Sequence, residues 1–176
     1  MLVERARSGS LDAFDALMRA QQDGLYRFVR VRGASEADAE DIVQDTFIAV
    51  WRYLGSYRPR WRFSTWLYTI ARREAARRPQ PHESLPEELV ASGDGPSGRA
   101  AALEQRDNLW SVARRVLPTP WFEALWLFYA EDRSVAETAR VLERSTPWVK
   151  VTLHRARKRL ADVIDGHGGP GKEAFE

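Results

Sequence analysis

The sequence contains no cysteine, which excludes a disulfide framework and any thiolate metal site. Its three histidines, His82, His154 and His167, stand far apart and share no ligand spacing. No stretch approaches the roughly 20 apolar residues a membrane-spanning helix needs, so no membrane insertion is expected. The first ten residues, MLVERARSGS, are charged and lack the apolar centre of a signal peptide. There is no glycine-rich phosphate loop, no nucleophile motif and no E-x-x-H pair. These absences lead to the expectation of a cytoplasmic, non-enzymatic protein with no cofactor and no metal.

What is present is segregated charge. The net charge is only +2, but that total hides blocks of one sign. Every charge from Glu36 to Asp45 is negative. From Arg52 to Arg78 the only acid among the arginines is Glu74, and from Lys150 to Arg159 there is no acid at all. Such patterning assigns different partners to different surfaces.

Hydrophobic spacing is helical throughout, and no strand pattern occurs. Leu11, Phe14, Met18, Leu25 and Phe28 mark a first helix, weakened by Gly24 and ending near Gly33. Ser35, three residues before Asp38, opens a second helix with Val43, Thr46, Phe47, Val50, Trp51 and Leu54 on one side; Gly55 stops it. Residues 57–63 read as a loop. Ser64 or Thr65 is expected to cap a third helix, which Pro79 ends. Residues 79–99 are rich in proline and glycine, with acids but no lysine or arginine before Arg99; only Glu87 to Val90 suggests a short helix. A helix resumes near Ala102 and stops at Pro118. Next come an almost wholly apolar helix opening at Thr119-Pro120, a short one boxed by Ser134 and Glu137, and a last one capped by Ser145. The expected fold is all-α. Two small helical domains, residues 10–78 and 102–164, are joined by a flexible linker at 79–101 and followed by a disordered tail at 165–176.

Three constellations carry chemistry. The last helix buries Val149, Leu153, Ala156, Leu160 and Val163, which leaves Trp148, Lys150, Val151, His154, Arg155 and Lys158 on the opposite face. With the short helix before it, this is the helix-turn-helix pattern for a DNA major groove; a helical hairpin with a solvated basic face remains the plain alternative. The second constellation interleaves aromatics and arginines between Trp51 and Arg78, suiting single-stranded DNA, since bases stack on aromatic faces for about 1–3 kcal/mol each. Trp51 and Trp66 read equally as core; Trp61, beside Pro59, does not. The third is the acidic helix start, Asp38, Glu40, Asp41 and Asp45 with Gln44. It can be a solvated face, a metal or acid–base group, or a docking surface for a basic partner.

The segments DAEDIVQDTFIAVWRYL, RFSTWLYTIARR, LPTPWFEALWLFYAEDRSVAETARVL and WVKVTLHRARKRL, in this order, resemble bacterial sigma factors of the extracytoplasmic-function group. The resemblance covers about Leu11 to Arg78 and Leu109 to Leu160. It implies a region-two-like domain in which Asp41, Gln44, Asp45, Phe47 and Trp51 grip the beta-prime clamp helices of RNA polymerase core. It implies that Tyr57, Arg58, Arg60, Trp61, Arg62, Phe63, Trp66, Arg72, Arg73 and Arg77 hold the melted non-template strand of the minus-ten element. It further implies a region-four-like domain, near the beta flap, in which Pro147, Trp148, Lys150, Val151, His154, Arg155 and Lys158 meet the duplex minus-thirty-five element. An anti-sigma factor is the further partner it implies. A stand-alone helix-turn-helix regulator is the alternative. Four positions depart from the family: Arg73 stands where Asn is common, Trp148 for threonine, Val151 for serine and Thr138 for isoleucine.

Overall fold

The computed structural model describes residues 2–78 and 109–166. The expected linker, the short helix at Glu87 to Val90, the first turns of the helix from Ala102 and the tail beyond Gly166 lie outside the described residues. Within them the chain is helical and has no strand. The elements are α1 (Leu2–Arg7), α2 (Leu11–Val31), α3 (Glu36–Tyr53), a 3-10 turn (Leu54–Ser56) and α4 (Phe63–Ala76). There follow α5 (109–116), α6 (Thr119–Tyr129), α7 (Val135–Leu142) and α8 (Thr146–Ile164).

Local chemistry sets most boundaries. Ser10 and Ser35 accept backbone N–H bonds from Ala13 and Asp38 and so start α2 and α3. Ser134 and Glu137 form a reciprocal capping box that starts α7, and Ser145 accepts from the Trp148 N–H to start α8. Each such cap contributes about 1 kcal/mol. Gly33, at φ 98°, turns the chain out of α2. The turn between α7 and α8 is different. Glu143 takes the left-handed conformation at φ 53°, a position where glycine is easier by roughly 1 kcal/mol.

Three features differ from the expectations. First, α1 has no counterpart among them: it buries Ala6 against α2 and reaches the 3-10 turn. Second, neither Ser64 nor Thr65 caps α4. The helix starts at Phe63, behind Arg62 and with no side-chain cap, because both hydroxyls are engaged elsewhere: Ser64 accepts from Arg133 and Thr65 donates to Glu137. Third, Leu11 is 67% exposed, so the buried stripe of α2 begins at Ala13.

Helices α2, α3 and α4 pack on one another, as do α6, α7 and α8. Phe28, Leu25, Ile42, Leu67 and Tyr68 fill the first group; Phe122, Leu127, Val141 and Val149 fill the second. Full burial of side chains this size is worth about 1.5–3 kcal/mol each. The two groups also touch, α4 against α7 and α2 against α6. Among the described residues, no helix is long and apolar enough to cross a membrane.

Candidate nucleic-acid interface

The acidic face lies on α3. Asp41 and Gln44 are exposed, and Asp45 and Phe47 are half-buried. Trp51 is 42% exposed, held edge-on by Phe14 from α2 at 4.8 Å between ring centres. It is therefore neither plain core nor loose surface. Arg78, just past α4, reaches back to both acids, 3.0 Å from Asp41 and 2.6 Å from Asp45. Those hydrogen bonds raise the Arg78 pKa. Among the described residues, no group of three or more His, Asp or Glu side chains is placed to hold a metal ion.

The loop between the 3-10 turn and α4 rests on a three-ring cluster. Tyr57 is buried, with Phe63 at 5.7 Å and Trp66 at 5.3 Å; Phe63 and Trp66 are 5.9 Å apart. The Tyr57 hydroxyl donates to the Trp61 carbonyl at 2.7 Å, closing the loop on itself. Burial pushes the Tyr57 pKa up, so the hydroxyl stays a donor. Half-buried Trp61 sits at the rim, with Arg58, Arg60 and Arg62 exposed around it. Tyr57 thus shapes the loop from beneath, whereas Trp61 and the arginines are accessible.

On α4, Arg72 and Arg73 both bind the carboxylate of Glu143, from the α7–α8 turn, at 2.8 and 2.7 Å. Arg77 instead pairs with Glu74 of its own helix. The Arg73 hydrogen bond, then the charges of both arginines, hold the Glu143 carboxyl below its ordinary pKa. On α8, Pro147, Lys150, Val151, His154, Arg155 and Lys158 are exposed, and half-buried Trp148 lies under the Arg144 guanidinium at 5.3 Å. No acidic side chain among the described residues pairs with Lys150, His154, Arg155 or Lys158. Arg72 and Arg73 of α4 are therefore paired with an acid from the other half, whereas these basic side chains of α8 have no such partner among the described residues.

Sequence reasoning missed the seam between the two halves. Arg32 and Glu123 form a buried ion pair at 2.7 Å. Burial raises the Glu123 pKa, against the nearby charges of Arg32, Arg72 and Arg114, and lowers that of Arg32. Tyr68 donates to Glu131 at 2.7 Å, and Arg133 stacks on the Tyr68 ring at 4.7 Å. Burial first, then Glu131, pushes the Tyr68 pKa up. Thr65 donates to Glu137 at 2.9 Å, and Arg62 lies 3.7 Å from that same carboxylate. Burial alone would raise the Glu137 pKa, but hydrogen bonds from Ser134 and Thr65 and the Arg62 charge outweigh it and lower it. Two local anomalies signal this seam: an acid inside the apolar α6, and a glycine in the middle of α2. A β-carbon at Gly24 would lie 2.6 Å from the Tyr68 hydroxyl.

The sequence matches Sigma-70 region 2 over residues 17–79 and Sigma-70, region 4 over residues 115–160. It is similar to the ECF RNA polymerase sigma factor BldN of Streptomyces coelicolor, 34% identical over 171 residues; these are 93% of this chain and 64% of that protein, so this chain spans under two thirds of BldN. With the ECF RNA polymerase sigma factor SigM of Mycobacterium tuberculosis it shares 31% identity over 161 residues, 89% of this chain and 80% of SigM. A solved structure of CnrH in complex with the cytosolic domain of CnrY superposes with a TM-score of 0.67 at 26% identity, covering 95% of this chain and 97% of CnrH.

Proposed function

This chain belongs to the sigma-70 family, in its extracytoplasmic-function group, and from that membership we propose how its surfaces direct RNA polymerase to promoters. The acidic-aromatic face of α3, Asp41, Gln44, Asp45, Phe47 and Trp51, docks on the beta-prime clamp helices. The exposed basic face of α8 anchors upstream duplex: residues near its start reach base edges, and Arg155 and Lys158 hold phosphates. The rim of the 57–62 loop and the outer face of α4 receive the unpaired strand. Unstacking a base costs a few kcal/mol, which stacking on Trp61 and charge pairing with the arginines offset, so strand opening is driven by differential binding. The chain itself does no catalysis in this reading; the polymerase does, in the cytoplasm.

The observation that supports the reading is the coexistence, in one chain, of an acidic helix with a partly exposed tryptophan and two separate basic faces of different character. One is an open helix face for duplex; the other is an aromatic-lined loop with arginines for a single strand. A stand-alone helix-turn-helix regulator needs only the first of these and gives α3 no role. CnrH, solved with the cytosolic domain of CnrY, supports a protein partner for this chain too, of the anti-sigma kind that the family resemblance implies.

The test is transcription in vitro. Core polymerase with this protein should give transcripts from discrete start sites on genomic fragments, and core enzyme alone should not. Identical transcript patterns with and without the protein would overturn the reading.

A further inference from the structure

Among the described residues, the large apolar side chains left exposed fall into three sets. Leu2, Leu11, Tyr53, Tyr129 and Ile164 each begin or end a helix, and Leu109 is the first described residue of α5. Ile48 and Trp51 lie one turn apart on α3, beside the acids assigned to polymerase docking. Val151 makes up the third set: it is 47% exposed in the interior of α8, on the face that carries Lys150, His154, Arg155 and Lys158.

Its angular position is central. At about 100° per residue, Val151 lies about 180° from Leu160 and about 160° from Val149, which are both buried. On the outer side, Pro147, Arg155 and Lys158 fall within about 40° of it. Val151 thus marks the midline of the exposed face. At about 1.5 Å per residue it also lies only about 7 Å from Thr146, the first residue of the helix. That is the end of a recognition helix that reaches base edges. A midline side chain there meets the floor of the groove, and the cations beside it meet the phosphate walls.

The fold gives little reason for valine at this position. A β-branched residue is a poorer helix former than alanine, arginine or lysine, and its exposed methyls gain little from the core. Valine has no donor and no acceptor on its side chain, so it reads no hydrogen-bonding group. The major groove presents one methyl group, on C5 of thymine; the other edge groups that mark the bases are donors and acceptors. Set against N7 and O6 of guanine, valine would strip water from two acceptors and bond neither. Its χ1 is stiff, so packing on a methyl costs little side-chain entropy. We propose, resting on the assignment of α8 to upstream duplex, that Val151 is a specificity-determining residue that packs on the C5-methyl of one thymine in the major groove.

The test uses the full chain and a pool of randomised duplexes of about 20 base pairs, two helical turns, from which the tightest binders are selected. Each thymine of a selected duplex is then replaced singly by deoxyuridine, which removes the C5-methyl and leaves every donor and acceptor in place. One replacement should weaken binding to the parent by roughly three- to tenfold, the worth of one buried methyl group. Val151→Ala puts a better helix former at an exposed position, and circular dichroism checks its helicity. It should bind the thymine and deoxyuridine forms of that duplex equally. Arg155→Ala should weaken binding to both forms and keep their ratio. Equal deoxyuridine penalties in the parent and in Val151→Ala, or no penalty in the parent at any thymine, would overturn the role of Val151; a loss of affinity in Arg155→Ala would then leave α8 standing as a duplex-binding helix. A pool from which the parent selects no sequence would overturn the assignment of α8 as well.

Discussion

Arg32 at the end of α2 and Glu123 inside α6 form an ion pair 2.7 Å long, with side chains only 15% and 9% exposed, that joins the two halves of the chain. Removing one member of such a pair strands the other charge out of water. Glu123→Ala should therefore lower stability by about 3–5 kcal/mol, read from denaturant unfolding, whereas the double change Arg32→Met with Glu123→Leu should be nearly neutral. Equal costs for the single and double changes would show that the pair is not coupled.

Acid should act on the seam with two opposite signs. The Glu143 carboxyl sits below its ordinary 4.5 because Arg73 and Arg72 bond it; its contribution is complete above about 4.5 and fades as pH falls through the lower folded value. Glu123 is raised by burial, so the folded chain takes up its proton more readily than the unfolded chain, and acidification stabilises it there. Glu143→Gln should flatten the loss of thermal stability at low pH, and Glu123→Gln should steepen it. Melting temperatures across pH 3 to 7 (about that range suffices) check both slopes.

The open face of α8 gives a salt prediction. Arg155→Ala and Lys158→Ala should each weaken duplex binding and reduce the magnitude of the log-affinity against log-salt slope by about 1, since a phosphate left without its cation has one fewer counterion to release. An unchanged slope would remove that residue from the set that touches phosphate.

The loop rim gives another. Trp61→Ala should weaken binding of single-stranded DNA, with polymerase present, by about 1–3 kcal/mol, and should leave duplex affinity alone. Tyr57→Phe removes the hydroxyl that donates to the Trp61 carbonyl; a smaller loss of the same kind is expected, through a looser loop.

What was legible in the sequence and what was not divides along physical lines. The Ser134 and Glu137 box and the Ser35 and Ser145 caps were readable because the donor and acceptor lie three residues apart. The buried side of α8 from Val149 to Leu160 followed from helical spacing for the same reason, whereas Trp148 and Val163 are half-buried. Ser64 and Thr65 look like caps by that local rule, but Arg133 and Glu137, about 70 residues away, engage their hydroxyls. Tyr57 resembles its exposed arginine neighbours in sequence, yet three-ring packing buries it. Gly24 reads as a helix defect until Tyr68 and Glu131 are seen beside it. The short α1 carries too few apolar residues to show periodicity. The acidic face of α3 was readable from its charge, whereas the Arg78 that bonds Asp41 and Asp45 came to light only in three dimensions.

The central claim is that α3 fastens this chain to RNA polymerase, and the direct measurement is equilibrium binding of the fluorescently labelled protein to core enzyme. The parent should bind saturably. A variant carrying Asp41→Ala and Gln44→Ala, both exposed positions, should bind at least about tenfold more weakly while keeping its helicity and its duplex affinity. Undiminished binding by that variant would contradict the assignment of α3, and a parent that does not bind core polymerase at all would contradict the whole account.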